Sequence, residues 1–352
     1  MSDHTQSVLD INLSAMARNW SKFSKLGAKT TAAVIKADAY GLGAKEAARA
    51  FQDVGCKDFF VAHFDEAVKA RSFISATSRI FVLNGVFSNQ SEIMAEFDLI
   101  PIINSIEQYE IWENQNLPFA LHIDTGMNRL GLRFDEYNNF EKISKNANLK
   151  LVLSHLACGS DPNSSKNITQ LSLFKDACEY FECEKSLSAS GGALLSDDYL
   201  FDLIRPGIGL YGGNPHDFGD NFSEAVVTLK SPILQTRIVK KGESIGYGAS
   251  FIAKKDMNIA TVALGYADGF LRSASNSGFA IIKNTKCKIL GRVSMDLIAI
   301  DISNVESVKF GDTVEFLGKN ALIDDQANCA NTISYEFLTR LGNRFKRNYF
   351  YE

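Results

Sequence analysis

A chain of 352 residues with 45% hydrophobic content can bury a large core, and its length favours two domains or one barrel with an appendage. A formal net charge of -4 with dispersed basic residues argues against a nucleic-acid surface and points to a small, locally recognised substrate. The opening segment Met1 to Ser7 has no basic stretch followed by an apolar one, and no run is long enough to cross a bilayer, so the expected setting is cytoplasmic. Six cysteines (Cys56, Cys158, Cys178, Cys183, Cys287, Cys329) lack paired ligand spacing, which fits reduced structural thiols and predicts no metal site.

In chain order, Val8 to Ile11 opens the pattern as a short strand that can pair with segments near the far end. Apolar runs then recur at Thr31 to Ile35, Phe59 to Ala62, Ile80 to Leu83, Leu99 to Ile103, Phe119 to Ile123, Leu149 to Ser154, Ser186 to Ser190 and Asp202 to Arg205. Helix-like segments such as Ala44 to Val54 and Asn167 to Phe181 lie between them. A helical crossover returns the chain to start each strand in the same direction, and eight such units close into a barrel. An open doubly wound sheet is the alternative. The barrel is favoured because Lys36, His63, Arg129, His155, Ser190 and the Arg205-Pro-Gly207-Ile208 turn sit at or just after strand ends, the rim where barrel active sites lie.

After about Tyr211 the texture changes to β-branched runs, Ala225 to Leu229, Ile259 to Ala263, Ala280 to Ile282 and Leu297 to Ile300, with glycine turns and few helical periods. The expected fold is therefore an α/β chain: an N-terminal (β/α)8 TIM barrel over residues 12–222, then a mostly-β domain over 223–352 that also takes up strand 1–11.

Chemistry concentrates where the first apolar run ends. A lysine there is poorly hydrated, which lowers its pKa and makes its amine available to a carbonyl, so Lys36 is a candidate Schiff-base nucleophile. The plain alternative is a surface lysine opening a loop. Phosphate needs backbone amides and hydroxyls, and the Ser188-Ala-Ser190-Gly-Gly and Arg205-Pro-Gly207-Ile208-Gly segments supply small residues after strands seven and eight.

The run Ala33-Val-Ile-Lys36-Ala-Asp-Ala-Tyr40-Gly-Leu-Gly resembles the pyridoxal-phosphate lysine motif of the alanine racemase family. Further segments resemble that family in the same order: Leu121 to Gly131, Leu153-Ser-His155-Leu-Ala, Ser244 to Phe251, Leu264 to Gly269 and Gly291 to Asp296. The resemblance implies a pyridoxal 5'-phosphate enzyme that interconverts L- and D-alanine to supply cell-wall peptidoglycan. Lys36 would carry the cofactor. Tyr40, Ser190, Gly207, Ile208 and Tyr335 would hold its phosphate, and Arg205 would face its ring.

Racemisation needs an acid or base on each face of Cα, because one group returning its own proton preserves configuration. By resemblance the second base is Tyr247, with His155 linking it to Arg205. Arg129 would bind the substrate carboxylate with the Met295 amide, while Tyr266 and Asp296 would shape the entrance. A homodimer with shared active sites is also implied.

Two positions depart from the family pattern. Where the family often has a carbamylated lysine orienting the arginine, this chain has His122, so carbamylation is ruled out and another group must hold Arg129. Ala189 stands where asparagine is frequent. The competing functions are racemisation of another small amino acid such as serine, a related barrel decarboxylase whose cysteine loop is not evident here, a pyridoxal-phosphate carrier without the β domain, and a cofactor-free Schiff-base lyase.

Overall fold

The structure, a computed structural model, describes residues 7–133, 137–217 and 219–352. The leader reading for Met1 to Gln6 thus falls outside the described residues. Within them, no helix is long and apolar enough to cross a membrane. Two compact units divide the chain: one takes Met16–Leu210 with Asn214–Ser223, the other the residues up to Ala15, Tyr211–Gly213 and Glu224–Glu352.

The strands, in chain order, begin with β1 (Val8–Asn12). The first unit holds β2 (Thr30–Thr31), β3 (Ala33–Val34), β4 (Asp58–Val61), β5 (Arg79–Val82), β6 (Leu99–Ile103), β7 (Phe119–His122), β8 (Leu149–Leu153), β9 (Glu184–Ser186) and β10 (Leu203–Ile204). Strands β3 to β9 form one parallel sheet in sequence order, and β10 pairs in parallel with β2. Val34 N donates to Pro206 O and Arg205 N to Ser188 O, so β10 lies between β9 and β2–β3 and closes the ring. The expected eight-stranded parallel barrel is observed, with β2 and β3 as its first stave.

Parallel strands covered on both faces read as nearly continuous apolar runs. All four residues of β4 and all five of β6 are buried. Phe60 and Phe81 are register partners across β4 and β5, and their rings stack at 4.6 Å. Each such side chain contributes roughly 1.5–3 kcal/mol on burial. At the opposite strand ends Arg79 donates to both Asp58 oxygens (2.7 and 2.8 Å) and to Glu184 (2.6 Å), plugging the amino-terminal mouth. The seventh strand is Glu184–Ser186 rather than Ser186 to Ser190. Beyond Ser186 the ladder to β8 ends and the chain keeps an isolated parallel pairing of Ala189 with Arg205, while Ser188 and Ser190 turn their hydroxyls to Tyr199 O and the Gly207 amide.

The second unit is an antiparallel β barrel. It comprises β11 (Val227–Val239), β12 (Ser244–Ile245), β13 (Phe251–Ile252), β14 (Met257–Val262), β15 (Phe279–Ile282), β16 (Thr285–Leu290), β17 (Ile298–Asp301), β18 (Thr313–Leu317) and β19 (Lys346–Phe350), together with β1. Its sheet runs β14-β17-β16-β15-β18-β11-β1-β19, and β14 also pairs with β11, which closes it. Strand β11 serves three neighbours, β1, β18 and β14, by bending: its register shifts between Leu229 and Lys230 and between Ile233 and Gln235, on either side of Pro232. Proline within a long strand is tolerated at such irregularities because it cannot donate to the ladder. The helices Ile323–Cys329 and Ser334–Arg340 add to the few helical periods read there. Each is only two turns long, too short to print a helical period in the sequence.

Candidate active site

Lys36 follows the stave Ala33–Val34 and is half-buried. Its ammonium is disfavoured chiefly by burial and then by the charges of Arg129 and Arg205, with Glu66 opposing them, so its pKa is lowered. The next four residues, Ala37, Asp38, Ala39 and Tyr40, hold φ between 53° and 57° in a left-handed turn. For L-residues this costs roughly 1–2 kcal/mol each. Surrounding bonds impose it: Glu66 Oε1 accepts from Ala37 N (2.7 Å), Asp38 Oδ1 from Ala44 N (2.8 Å) and Ile35 O from Ala39 N (2.8 Å). Neither the left-handed turn nor the part of Glu66 in it is among the features read from the sequence. Glu66 also accepts from Ala62 N and His63 N, and a glutamate three residues after a helix-opening residue was the available signal.

Across the first stave, Ser190 Oγ accepts from Gly207 N (2.8 Å) and Gly209 N (3.2 Å) and is buried. A Cβ on Gly207 would stand 2.2 Å from the Tyr40 hydroxyl, so the turn approaches that phenol as only glycine can. Ile208 opens a buried single turn, Ile208–Tyr211. Hydroxyl, phenol and small turn thus converge in one cradle, and its Tyr40 lies four residues after Lys36.

Arg205 is 4% exposed and donates to Ser186 Oγ, Ser154 O (2.6 Å) and Leu187 O (3.2 Å). Burial lowers its pKa to about 9, which still leaves it protonated at neutral pH. His155 is held neutral, its pKa pushed well below the usual imidazole range by burial and then by Arg205, Arg129, Lys36 and His122. Arg129 stands on an exposed loop whose first residue, Asp124, accepts through Oδ1 from the amides of Gly126, Met127 and Asn128 (2.9, 2.8 and 3.1 Å). An aspartate two residues before a glycine is the signature of that turn.

The other proposed residues lie in the β unit. Tyr247 heads a single turn flanked by Gly246 (φ 74°) and containing Gly248 (φ 67°), and is 70% exposed. A Cβ on Gly248 would come 3.1 Å from Arg292 Nη1, so the guanidinium packs against that turn. Met295, 53% exposed, and Tyr266, 42% exposed, share one face: Tyr266 N donates to Ser294 O and Ala267 N to Met295 O. Asp296 accepts from Arg344 Nη1 at 2.8 Å. Tyr335 is carried by the Ser334–Arg340 helix. The structure therefore gathers Lys36, Tyr40, Arg129, His155, Ser190, Arg205, Gly207 and Ile208 in one unit and Tyr247, Tyr266, Met295, Asp296 and Tyr335 in the other.

A closed parallel barrel with a desolvated lysine, an anion cradle and a buried arginine at its carboxyl rim defines an enzyme class that holds a phosphorylated carbonyl cofactor on a lysine. Comparison with known proteins narrows it. The family domain "Alanine racemase, N-terminal domain" matches residues 11–215, and "Alanine racemase, C-terminal domain" matches residues 226–349. The chain is 41% identical over 373 residues to an alanine racemase of Brucella canis, covering 98% of this chain and 93% of that protein. It is 42% identical over 355 residues to one from Rickettsia canadensis, covering 97% and 98%. The crystal structure of alanine racemase from Bartonella henselae with covalently bound pyridoxal phosphate superposes with TM-score 0.93 at 36% identity, covering 98% and 99%. The chain belongs to the alanine racemase family.

Proposed function

We propose that this chain is a pyridoxal-phosphate-dependent isomerase that interconverts L- and D-alanine. One observation carries the reading: a half-buried Lys36 of lowered pKa lies beside the Tyr40, Ser190 and Gly207 cradle and within the field of Arg129 and Arg205. That set fits the cofactor. Tyr40, Ser190, Gly207, Ile208 and Tyr335 would hold its phosphate, Lys36 its carbonyl carbon and Arg205 its ring nitrogen. When bound, pyridoxal phosphate supplies the electron sink that makes an amino acid's Cα proton removable.

The protein's groups do the rest. Lys36, with its ammonium disfavoured, takes up or returns a proton on one face of Cα. Tyr247 serves the other face. Arg205, protonated at neutral pH, donates hydrogen bonds and withholds its proton. Arg129 holds the substrate carboxylate with the Met295 amide, and Tyr266 and Asp296 narrow the entrance. Neutral His155 carries one ring N–H, and donating it would help retain the Tyr247 phenolate.

Tyr247, Ile252, Tyr266, Met295 and Leu297 are all at least 40% exposed on the β unit, apolar surface that supports assembly as a homodimer in which a second copy covers it. A cytoplasmic supply of D-alanine for peptidoglycan completes the reading.

The test follows the circular dichroism of L-alanine with purified protein and pyridoxal phosphate. Decay of the signal to zero, abolished by Lys36→Ala together with the visible band of lysine-bound cofactor, supports racemisation. A visible band with unchanged alanine signal overturns the alanine assignment.

A further inference from the structure

We propose that His122, locked by Asn104 in its Nδ1–H form, offers its Nε2 lone pair to Arg129 and positions that guanidinium for the substrate carboxylate. The inference rests on the assignment of Arg129 to that carboxylate.

His122 is the last residue of β7, and its Nδ1 lies 2.8 Å from Asn104 Oδ1. The amide is not free to flip. Asn104 Nδ2 donates to Ile102 O (2.8 Å) and Leu83 O (3.0 Å), two carbonyls that accept only, so Oδ1 must face the imidazole. An amide oxygen accepts, so Nδ1 carries the proton. Gln108 fixes the pair from behind: its Oε1 accepts from Asn104 N (2.8 Å) and its Nε2 donates to Asn84 O (2.9 Å).

Nε2 is left as an acceptor. In this structure it has no hydrogen-bond partner among the described residues, Arg129 included, so the bond to Arg129 is the inferred step. The loop carrying Arg129 folds back on this residue: Leu132 N donates to His122 O, and a Cβ on Gly131 would stand 3.1 Å from that oxygen. The charged groups facing His122 are Arg205 and Arg129, with Asp124 opposing them, and neutral His155 lies nearby. Burial first, then the two arginines, lower its pKa to about 4, so the imidazole is neutral wherever the enzyme is expected to work. A neutral acceptor beside a guanidinium restrains it without cancelling the positive charge that a carboxylate needs.

The test uses the holoenzyme with propionate, a carboxylate lacking the amine, by titration calorimetry, alongside KM and kcat for alanine. His122→Ala should weaken propionate binding and raise KM by roughly tenfold with kcat little changed, the size of one lost bond to a charged group. His122→Gln, which keeps an acceptor, should restore most of both. Asn104→Asp places a charge on Nδ1–H, favours imidazolium and should make KM climb as pH falls through neutrality. Nitrogen chemical shifts of His122 should show Nε2 bare and Nδ1 protonated.

Unchanged propionate affinity and KM in His122→Ala, or a protonated Nε2, would overturn the proposal. A protein that fails to racemise alanine would defeat the wider reading instead, while the propionate and nitrogen readouts would still decide the role of His122.

Discussion

The two units place their chemistry in opposite ways. In the parallel barrel, Arg205 and Ser190 are at most 4% exposed and are held by several bonds each, and strong local fields act on Lys36, His122 and His155. In the antiparallel unit, Tyr266, Met295 and Tyr247 are 42%, 53% and 70% exposed on short loops, and Tyr335, on a two-turn helix, is 39% exposed. A rigid desolvated pocket can fix a cofactor and tune an amine by itself, because burial supplies both restraint and low dielectric. Exposed aromatic loops gain that environment only when another surface covers them. The barrel's residues are thus fixed by their surroundings, and those of the β unit are left open to solvent.

The largest effect should come from removing the β unit's phenol. Tyr247→Phe is expected to suppress Cα proton exchange from one alanine enantiomer by roughly a hundredfold or more while sparing the other, with the visible cofactor band intact. Deuterium incorporation from solvent, read separately for the two enantiomers, measures it. Equal loss for both would mean the phenol does not serve a single face.

A smaller effect is expected inside the barrel cradle. Gly207→Ala sets a methyl 2.2 Å from the Tyr40 hydroxyl, so pyridoxal phosphate should bind roughly tenfold more weakly. Adding Tyr40→Phe should recover part of that loss. Titration followed by the visible band reports both, and no recovery would place the strain elsewhere than on the phenol.

The smallest expected effect separates the units by pH. His122, with its pKa lowered to about 4, and His155, also lowered, bind protons more weakly folded than unfolded. Between the unfolded value, about 6.5, and the folded one the unfolded chain holds more protons, so stability falls as pH drops through that window. Residues 224–352 contain no histidine, so this loss belongs to the barrel. Thermal unfolding from pH 7 to 4 should show it, and His122→Gln should flatten part of the slope.

The barrel was legible because most staves are short apolar runs followed by a helical period, a pattern that parallel burial enforces; the polar Glu184–Ser186 and the single turns after it depart from it. The β unit was legible as texture only. Thr313–Leu317 alternates for only a few residues and Lys346–Phe350 opens on three polar ones, so both pass for loop edges, and its two helices are each seven residues long. Lys36, Arg205 and the serine and glycine turns stood out because their types are unusual at strand ends. Glu66 and Asn104 did not, since both act by accepting or fixing bonds around a neighbour, and the spacing of Glu66 three residues after His63 was the one trace either left. His122 was visible as a departure, but the proton on its Nδ1 depends on carbonyls contributed by two other strand ends.

The left-handed turn at Ala37 to Tyr40 ties the lysine to residues far from it in the chain. Alanine ordinarily favours the right-handed helix, and within the tetrapeptide Asp38, through its bond from Ala44 N, supports the shape it holds. The rest is an imprint of its surroundings, set by Glu66 on one side and by the close approach of Gly207 on the other. The lysine's seat therefore borrows its form from both flanks, and a change at either should reach it without touching Lys36 itself.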